Sequence, residues 1–425
     1  MSESKKAARY SAGETVSSDN SGSMAGSKTI SARQRNLVFG IVNLSHIINH
    51  LESGMVSVLY PVMMQELGFG YFAIGVLQMT YQMTSTAFQV IYGLLVRFFP
   101  RSFLLGTGNL LLGLFVMLTG FSQNFVQLTV LRGLAGMGSS AQHPVGAAIL
   151  ISYFEKARGR MLTLHHSLGN LGALLAPVVA GGLLLFTSWR VVFFSVAVLS
   201  LTMGISYFFL KETVVAAEDP ESKGGVARAS LRDYLICLKN RDVMLVSLIQ
   251  MTGAAGRGTG ISVAFLTAFF MAHLGVNVSA AAGLLMIYHL SGLLGPLALG
   301  WLSDRFNRKW IVQFTLLGST LTTLWLLAHE SVTPWLLVNL VLYGSLIQSR
   351  SSLTQSMVSE AVPFEQMDIA FSLYFFIGFI SGPVWTLLMG WLIDVRDFNV
   401  AFKVVSLSYL VGMVMLSFYR QRKVG

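Results

Sequence analysis

Long apolar runs recur down the chain at 37–65, 71–97, 103–121, 126–150, 162–186, 190–210, 243–273, 279–301, 310–328, 335–357, 369–393 and 401–419. Each is about 20 residues or longer, enough for a helix to cross roughly 30 Å of hydrocarbon. Lipid offers no partner to backbone N–H and C=O groups, so each run must satisfy its own, and the pattern predicts twelve transmembrane α-helices. One long polar segment interrupts the series, from Lys211 to Asp242, with Glu218, Asp219, Pro220, Glu221 and Lys223 inside it. The layout is therefore six plus six. Residues 1–35 are small and polar, lack the apolar core of a signal peptide, and are expected to form a disordered tail. The predicted organisation is a tail at 1–35, a six-helix bundle at 36–210, a linker at 211–242, a second bundle at 243–419 and a short tail at 420–425.

The two halves repeat. The stretch GLLVRFFPRS from Gly93 lies between the second and third runs, and GWLSDRFNRK from Gly300 lies between the eighth and ninth. At an offset of 207, Gly68 maps to Gly275, Tyr81 to Tyr288, Gly93 to Gly300 and Arg101 to Arg308, with no gap. GALLAPVVAG from Gly172 maps to GFISGPVWTL from Gly378 at an offset of 206. The fold class is an all-α integral membrane protein built as two pseudo-symmetric six-helix bundles. Parallel halves with a site between them at midplane describe a secondary transporter.

Composition agrees with this reading. Hydrophobic residues make up 54% of the 425 and charged residues 11%, under half the roughly 25% of soluble domains. Forty-one glycines suit close helix packing. The net charge of +10 reflects basic cytoplasmic loops and calls for no nucleic-acid partner. With both termini inside, 23 of the 29 Lys and Arg fall in the tails and cytoplasmic loops and three (Arg190, Arg396 and Lys403) fall outside, which sets the orientation. Cys237 is the single cysteine, so no intrachain disulfide forms.

GWLSDRFNRK, RGLAGMGSSA from Arg132 and the glycine-rich stretch from Gly172 to Gly182 resemble the signatures of the major facilitator superfamily. Within it, LSHIINH from Leu44, Tyr60-Pro61, GSSAQHPVG from Gly138 and the LHHSLGNLGALLAP run are most similar to the fosmidomycin resistance branch of drug exporters. The resemblance implies alternating access, proton-coupled export and a bacterial inner-membrane location. It also implies gating loops, here Gly93, Arg97 and Arg101 in the first half and Gly300, Asp304, Arg305, Arg308 and Lys309 in the second. Two residues depart from the pattern: His50 stands where the family carries Asp, and Arg97 where the first loop carries an acid.

Ionisable groups at bilayer depth cost at least about 2.5–3.5 kcal/mol on insertion scales, so those present are candidates for function. In the first run Asn43, His46, His50, Ser53 and Ser57 share one helix face at three- and four-residue spacing. Glu52 sits about 120° round the helix from that stripe. His46 and His50, with Glu52 and Arg132, are the candidates for proton coupling, since imidazole titrates near pH 6.5 when unperturbed. His165 and His166 lie near the cytoplasmic start of the fifth run. Under the repeat, His50 maps to Arg257 and His143 to Arg350. Together with Arg132 the runs hold three arginines against the carboxylate of Glu52, an imbalance that an anionic solute would relieve. Arg257 and Arg350 are the candidate charge anchors, with Tyr81, Tyr288 and His143 as further substrate contacts. His143 precedes Pro144, where a helix break is expected.

GAAGRGTG from Gly253 is no nucleotide loop, because no strand precedes it; its glycines are expected to let the seventh run bend. His46 and His50 have the i, i+4 spacing of a metal pair, but no HExxH pattern or acidic partner on that face accompanies them, and no metal site, cofactor or enzyme chemistry is expected. The expected partners are the bilayer, a small anionic or amphipathic solute and protons. Two alternatives remain at this stage: uptake of a metal or metal complex such as iron through the histidines, and a receptor or scaffold that does not transport.

Overall fold

The computed structural model describes residues 31–96, 98–154, 158–210, 231–252, 263–363 and 366–419. Helices among them are α1 (Ala32–Leu67), α2 (Tyr71–Leu95), α3 (Arg101–Thr119), α4 (Phe125–Ser139), α5 (Gln142–Tyr153), α6 (Arg158–Leu183), α7 (Trp189–Phe208) and α8 (Leu231–Lys239). They continue with α9 (Arg241–Met251), α10 (Val263–Leu274), α11 (Val278–Arg305), α12 (Arg308–Leu326), α13 (Pro334–Ala361), α14 (Met367–Val395) and α15 (Phe398–Ser417). They group into the twelve spans: α4 with α5 is the fourth, α9 with α10 the seventh, and α8 lies before the seventh within the polar linker.

Length and apolarity alone qualify α3, α6 from Leu164, α7, α11, α14 and α15 as spans. Helix α1 has 36 residues but dilutes its apolar face with Asn43, His46, Asn49 and Glu52, all buried against other helices. Their polarity is turned inward, where protein and not lipid meets it.

Local chemistry sets the ends. Asn124, Asn277, Thr333 and Asp397 each accept a hydrogen bond from the backbone N–H three residues on, capping α4, α11, α13 and α15. After the first and seventh spans the chain turns through Gly68 and Gly275, at φ 69° and 65°. These are the left-handed positions glycine adopts without penalty, and they are partners under the 207-residue repeat. The fourth span is interrupted at Ser140 and Ala141, as expected from the proline: Pro144 has no N–H for the Ser140 carbonyl, so the ladder breaks although both residues keep helical dihedrals.

One feature departs from the sequence reading. The linker contains α8, whose buried Cys237 joins the apolar core, while residues 211–230 lie outside the described residues. The seventh span is described as two pieces; residues 253–262, which include Arg257 and the expected bend, also lie outside the described residues.

Helix α1 packs along α6, and α11 along α13. Glycine makes the first approach possible, since a Cβ at Gly172 would fall 2.0 Å from the Ile47 carbonyl oxygen. The two halves meet through α2 against α14 and α6 against α11. A Cβ at Gly75 would fall 2.7 Å from the Thr386 carbonyl oxygen, and one at Gly390 would fall 2.4 Å from that of Tyr71. Hydrogen bonds join the halves at one face: Ser279 Oγ donates to the Gly181 carbonyl at 2.9 Å, and the Asp394 carboxylate accepts from the backbone N–H groups of Tyr71 (2.9 Å) and Phe72 (2.7 Å).

The opposite face carries the two loops singled out in the sequence. There Arg308 bridges Asp304 and Glu360, Lys309 donates to the carbonyls of Ser417 and Tyr419, and Arg305 stacks 4.0 Å from the Trp301 ring. All of these contacts stay within the second half. In the first half Gly93 is exposed, Arg101 opens α3 half-buried, and Arg97 lies outside the described residues.

Candidate functional sites within the bundle

Two charged or titratable constellations lie within the first half and one within the second. The first is a histidine cluster. Gln142, at the start of α5, accepts from Ser45 Oγ at 2.8 Å and donates from Nε2 to the Val42 carbonyl at 3.0 Å, which ties α5 to α1 and brings His143 beside His46 and His50. The ring centroids lie 4.7 Å apart for His46 and His50, 5.2 Å for His46 and His143, and 5.6 Å for His50 and His143. From α6, His165 stacks on His46 at 3.9 Å. Hydrogen bonds fix the two stacked rings: His46 Nδ1 lies 2.9 Å from the His165 carbonyl oxygen, so it carries the proton, and His165 Nδ1 lies 2.9 Å from Asn43 Oδ1. Gly169 makes room, since a Cβ there would lie 2.7 Å from His46 Cε1. Of the polar stripe on α1, Ser53 and Ser57 donate within their own helix, to the carbonyls of His50 and Gly54.

The second constellation joins Glu52 and Arg132, both 1% exposed. Glu52 accepts from Ser200 Oγ at 2.9 Å. The Arg132 guanidinium lies 4.3 Å from the centre of the Tyr81 ring, and Nε and both Nη atoms have no hydrogen-bond partner among the described residues. No ion pair joins Arg132 to Glu52 among the described residues. Tyr81, expected to offer its hydroxyl to a solute, donates it to Ser139 Oγ at 2.9 Å, which in turn donates to Asn49 Oδ1 at 3.1 Å.

The third is in the second half. Arg350 is fully buried, reaches Thr252 Oγ1 only at 3.5 Å and lies 4.9 Å from the centre of the Tyr409 ring. Its Nε and Nη2 have no partner among the described residues. Tyr288 and Tyr374 stand close enough to interact electrostatically with it. A buried charged donor without a partner forfeits at least about 1–3 kcal/mol, and several such atoms on two arginines mark places where an anion would be stabilised.

Sequence reasoning named the arginines and His46, His50 and His143, but not Tyr409, Ser139, Asn49, Ser200 or Asp394. Those residues carry no local spacing, and only the packing of distant spans reveals them.

The model of the Major Facilitator Superfamily matches residues 42–256 and again 243–425. The fosmidomycin resistance protein of Escherichia coli (strain K12) is 22% identical over 394 residues, covering 92% of this chain and 95% of that protein. A protein of the same strain named "Probable L-galactonate transporter" is 24% identical over 281 residues, covering 63% of this chain and 60% of its own length. Among solved structures, a mutant of the nucleoside transporter NupG superposes with a TM-score of 0.77 at 14% identity, covering 90% of this chain and 99% of that one. Two matches to one family model, overlapping only near the junction of the halves, reproduce the repeat seen in the residues, and the chain belongs to the Major Facilitator Superfamily.

Proposed function

We propose that this secondary transporter moves a small anionic solute by alternating access, outward and in exchange for protons. One observation carries the anion: Arg132 and Arg350, one in each half, are buried with guanidinium N–H groups that no atom of the described residues accepts. Glu52 is the one buried carboxylate among the described residues. A carboxylate or phosphonate supplies the missing acceptors, in the forked geometry arginine favours. Such a solute agrees with the name of the galactonate relative, which denotes a carboxylate. The relatives named as transporters support transport over the receptor reading, and buried arginines would repel a free metal cation as cargo.

Sidedness follows from the basic residues. Loops 93–101 and 300–309 belong to the cytoplasmic side, so the face where Asp394 meets α2 is the outer one, in an inner membrane with both termini inside. The halves are then joined outside, a state that receives its solute from within.

A thermal-shift screen of the detergent-solubilised protein against carboxylates, phosphonates and cations tests the anion. A ligand at about a hundredfold excess over Kd stabilises the folded state by about 2.7 kcal/mol. Stabilisation by anions that disappears in Arg350→Ala is expected. Stabilisation by cations alone, or by anions equally in Arg350→Ala and Arg132→Ala, would overturn the reading.

A further inference from the structure

The histidine cluster has a geometry that anion transport does not require. Donor nitrogens of His46, His50 and His143 all lie within 4.8 Å of one another. The pair on α1 lacks a third ligand in the sequence, and the fold supplies it from α5, 93 residues further on. Metal-to-nitrogen bonds of about 2.0–2.1 Å place tetrahedral donors roughly 3.4 Å apart. The difference is a shift that χ rotation of the half-buried His50 and His143 side chains can make.

His46 is already set for ligation. Its Nδ1–H donates to the His165 carbonyl, which leaves the lone pair on Nε2, and that nitrogen is buried without a partner among the described residues. Ligating histidines commonly donate their second nitrogen to a carbonyl, which fixes tautomer and ring orientation. Asn43 holds His165 in turn, so the support extends across α1 and α6.

We propose that His46, His50 and His143 form a binding site for a late first-row divalent cation such as Zn2+ or Co2+, within the first half of the transporter. Three neutral imidazoles suit these ions, whereas Mg2+ and Ca2+ seek oxygen ligands that this set lacks. The fourth position is left for water or an anion. All three donors ride on the same half, so the ion is a resident ligand through the transport cycle and not the cargo.

The test uses the full chain, purified through a Strep tag to avoid an oligohistidine sequence, stripped with EDTA and equilibrated with Co2+. Retention of one equivalent is expected, with the intense visible absorption of tetrahedral Co2+. His50→Ala and His143→Ala are expected to weaken binding at least tenfold while keeping the metal-free thermal transition. His289→Ala, in the second half, leaves binding unchanged. If His143→Ala does not fold, His50→Gln decides alone. Failure of the wild type to retain Co2+, or retention by the His50 variants equal to wild type, overturns the site. The readout is binding itself, so its outcome is independent of which solute is transported.

Discussion

Replacing Asp394 with alanine should unlatch the face where it meets α2. Helix α2 begins after Gly70, which has no side chain to cap it, whereas the equivalent helix α11 begins after Asn277, which caps its own first turn. The missing cap comes from the other half: the two Asp394 oxygens accept from the N–H groups of Tyr71 and Phe72 at 2.9 and 2.7 Å. Loss of an N-cap costs about 0.5–2 kcal/mol, and the carboxylate's attraction to the helix dipole is worth about 0.3–1 kcal/mol at an exposed site. The two overlap, being one carboxylate, so about 1–2 kcal/mol is the working figure. It acts only while the halves touch, since separation returns both groups to water. The ratio of joined to separated states should therefore fall roughly five- to thirtyfold in Asp394→Ala, at 1.4 kcal/mol per factor of ten. Spin labels at Phe186 and Arg396, exposed and on opposite halves at this face, report the separation by pulsed EPR. Native Cys237 is buried and leaves the introduced cysteines as the labelled sites. A grown long-distance population in Asp394→Ala, a smaller one in Asp394→Asn, and none in Asn277→Ala are expected. An unchanged distribution in Asp394→Ala, or an equal shift in Asn277→Ala, refutes the latch.

Other consequences follow from packing. Gly172→Ala forces a methyl group onto the Ile47 carbonyl and should lower stability by about 1–3 kcal/mol through overpacking, seen as a lower thermal transition; an unchanged transition contradicts the tight α1 and α6 crossing. Glu66 accepts from Trp189 Nε1 at 2.6 Å and pairs with Arg190, so Glu66→Gln should lower the transition less than Trp189→Ala, which also removes a fully buried ring. The reverse order contradicts the assignment of Trp189 to the core.

What the sequence makes legible is what local physics controls. Spans show as apolar runs, the break before Pro144 as a missing N–H, and the repeat as glycines at Gly68 and Gly275 that share a left-handed turn. His46 and His50 are readable because one helical turn joins them. The stacking of His165 on His46 is not, because it depends on how α6 lies against α1, and no spacing in the chain encodes that crossing. The Asp394 latch is hidden for the same reason: its partners lie more than 320 residues away in sequence. Helix α8 escapes notice because its surroundings are too polar to read as a span. The placing of the Arg132 guanidinium over the Tyr81 ring is hidden too, because no spacing in the chain encodes how α4 lies against α2.

Anion exchange anchored on the buried arginines can be followed in proteoliposomes carrying an internal pH dye. Carboxylates, phosphonates, cations and neutral solutes are added in turn while the internal pH is followed. Proton flux evoked by an anion is expected, lost in Arg350→Ala while the protein keeps its wild-type thermal transition. Flux evoked only by cations or neutral solutes, or an anion response that survives in both Arg132→Ala and Arg350→Ala, contradicts it.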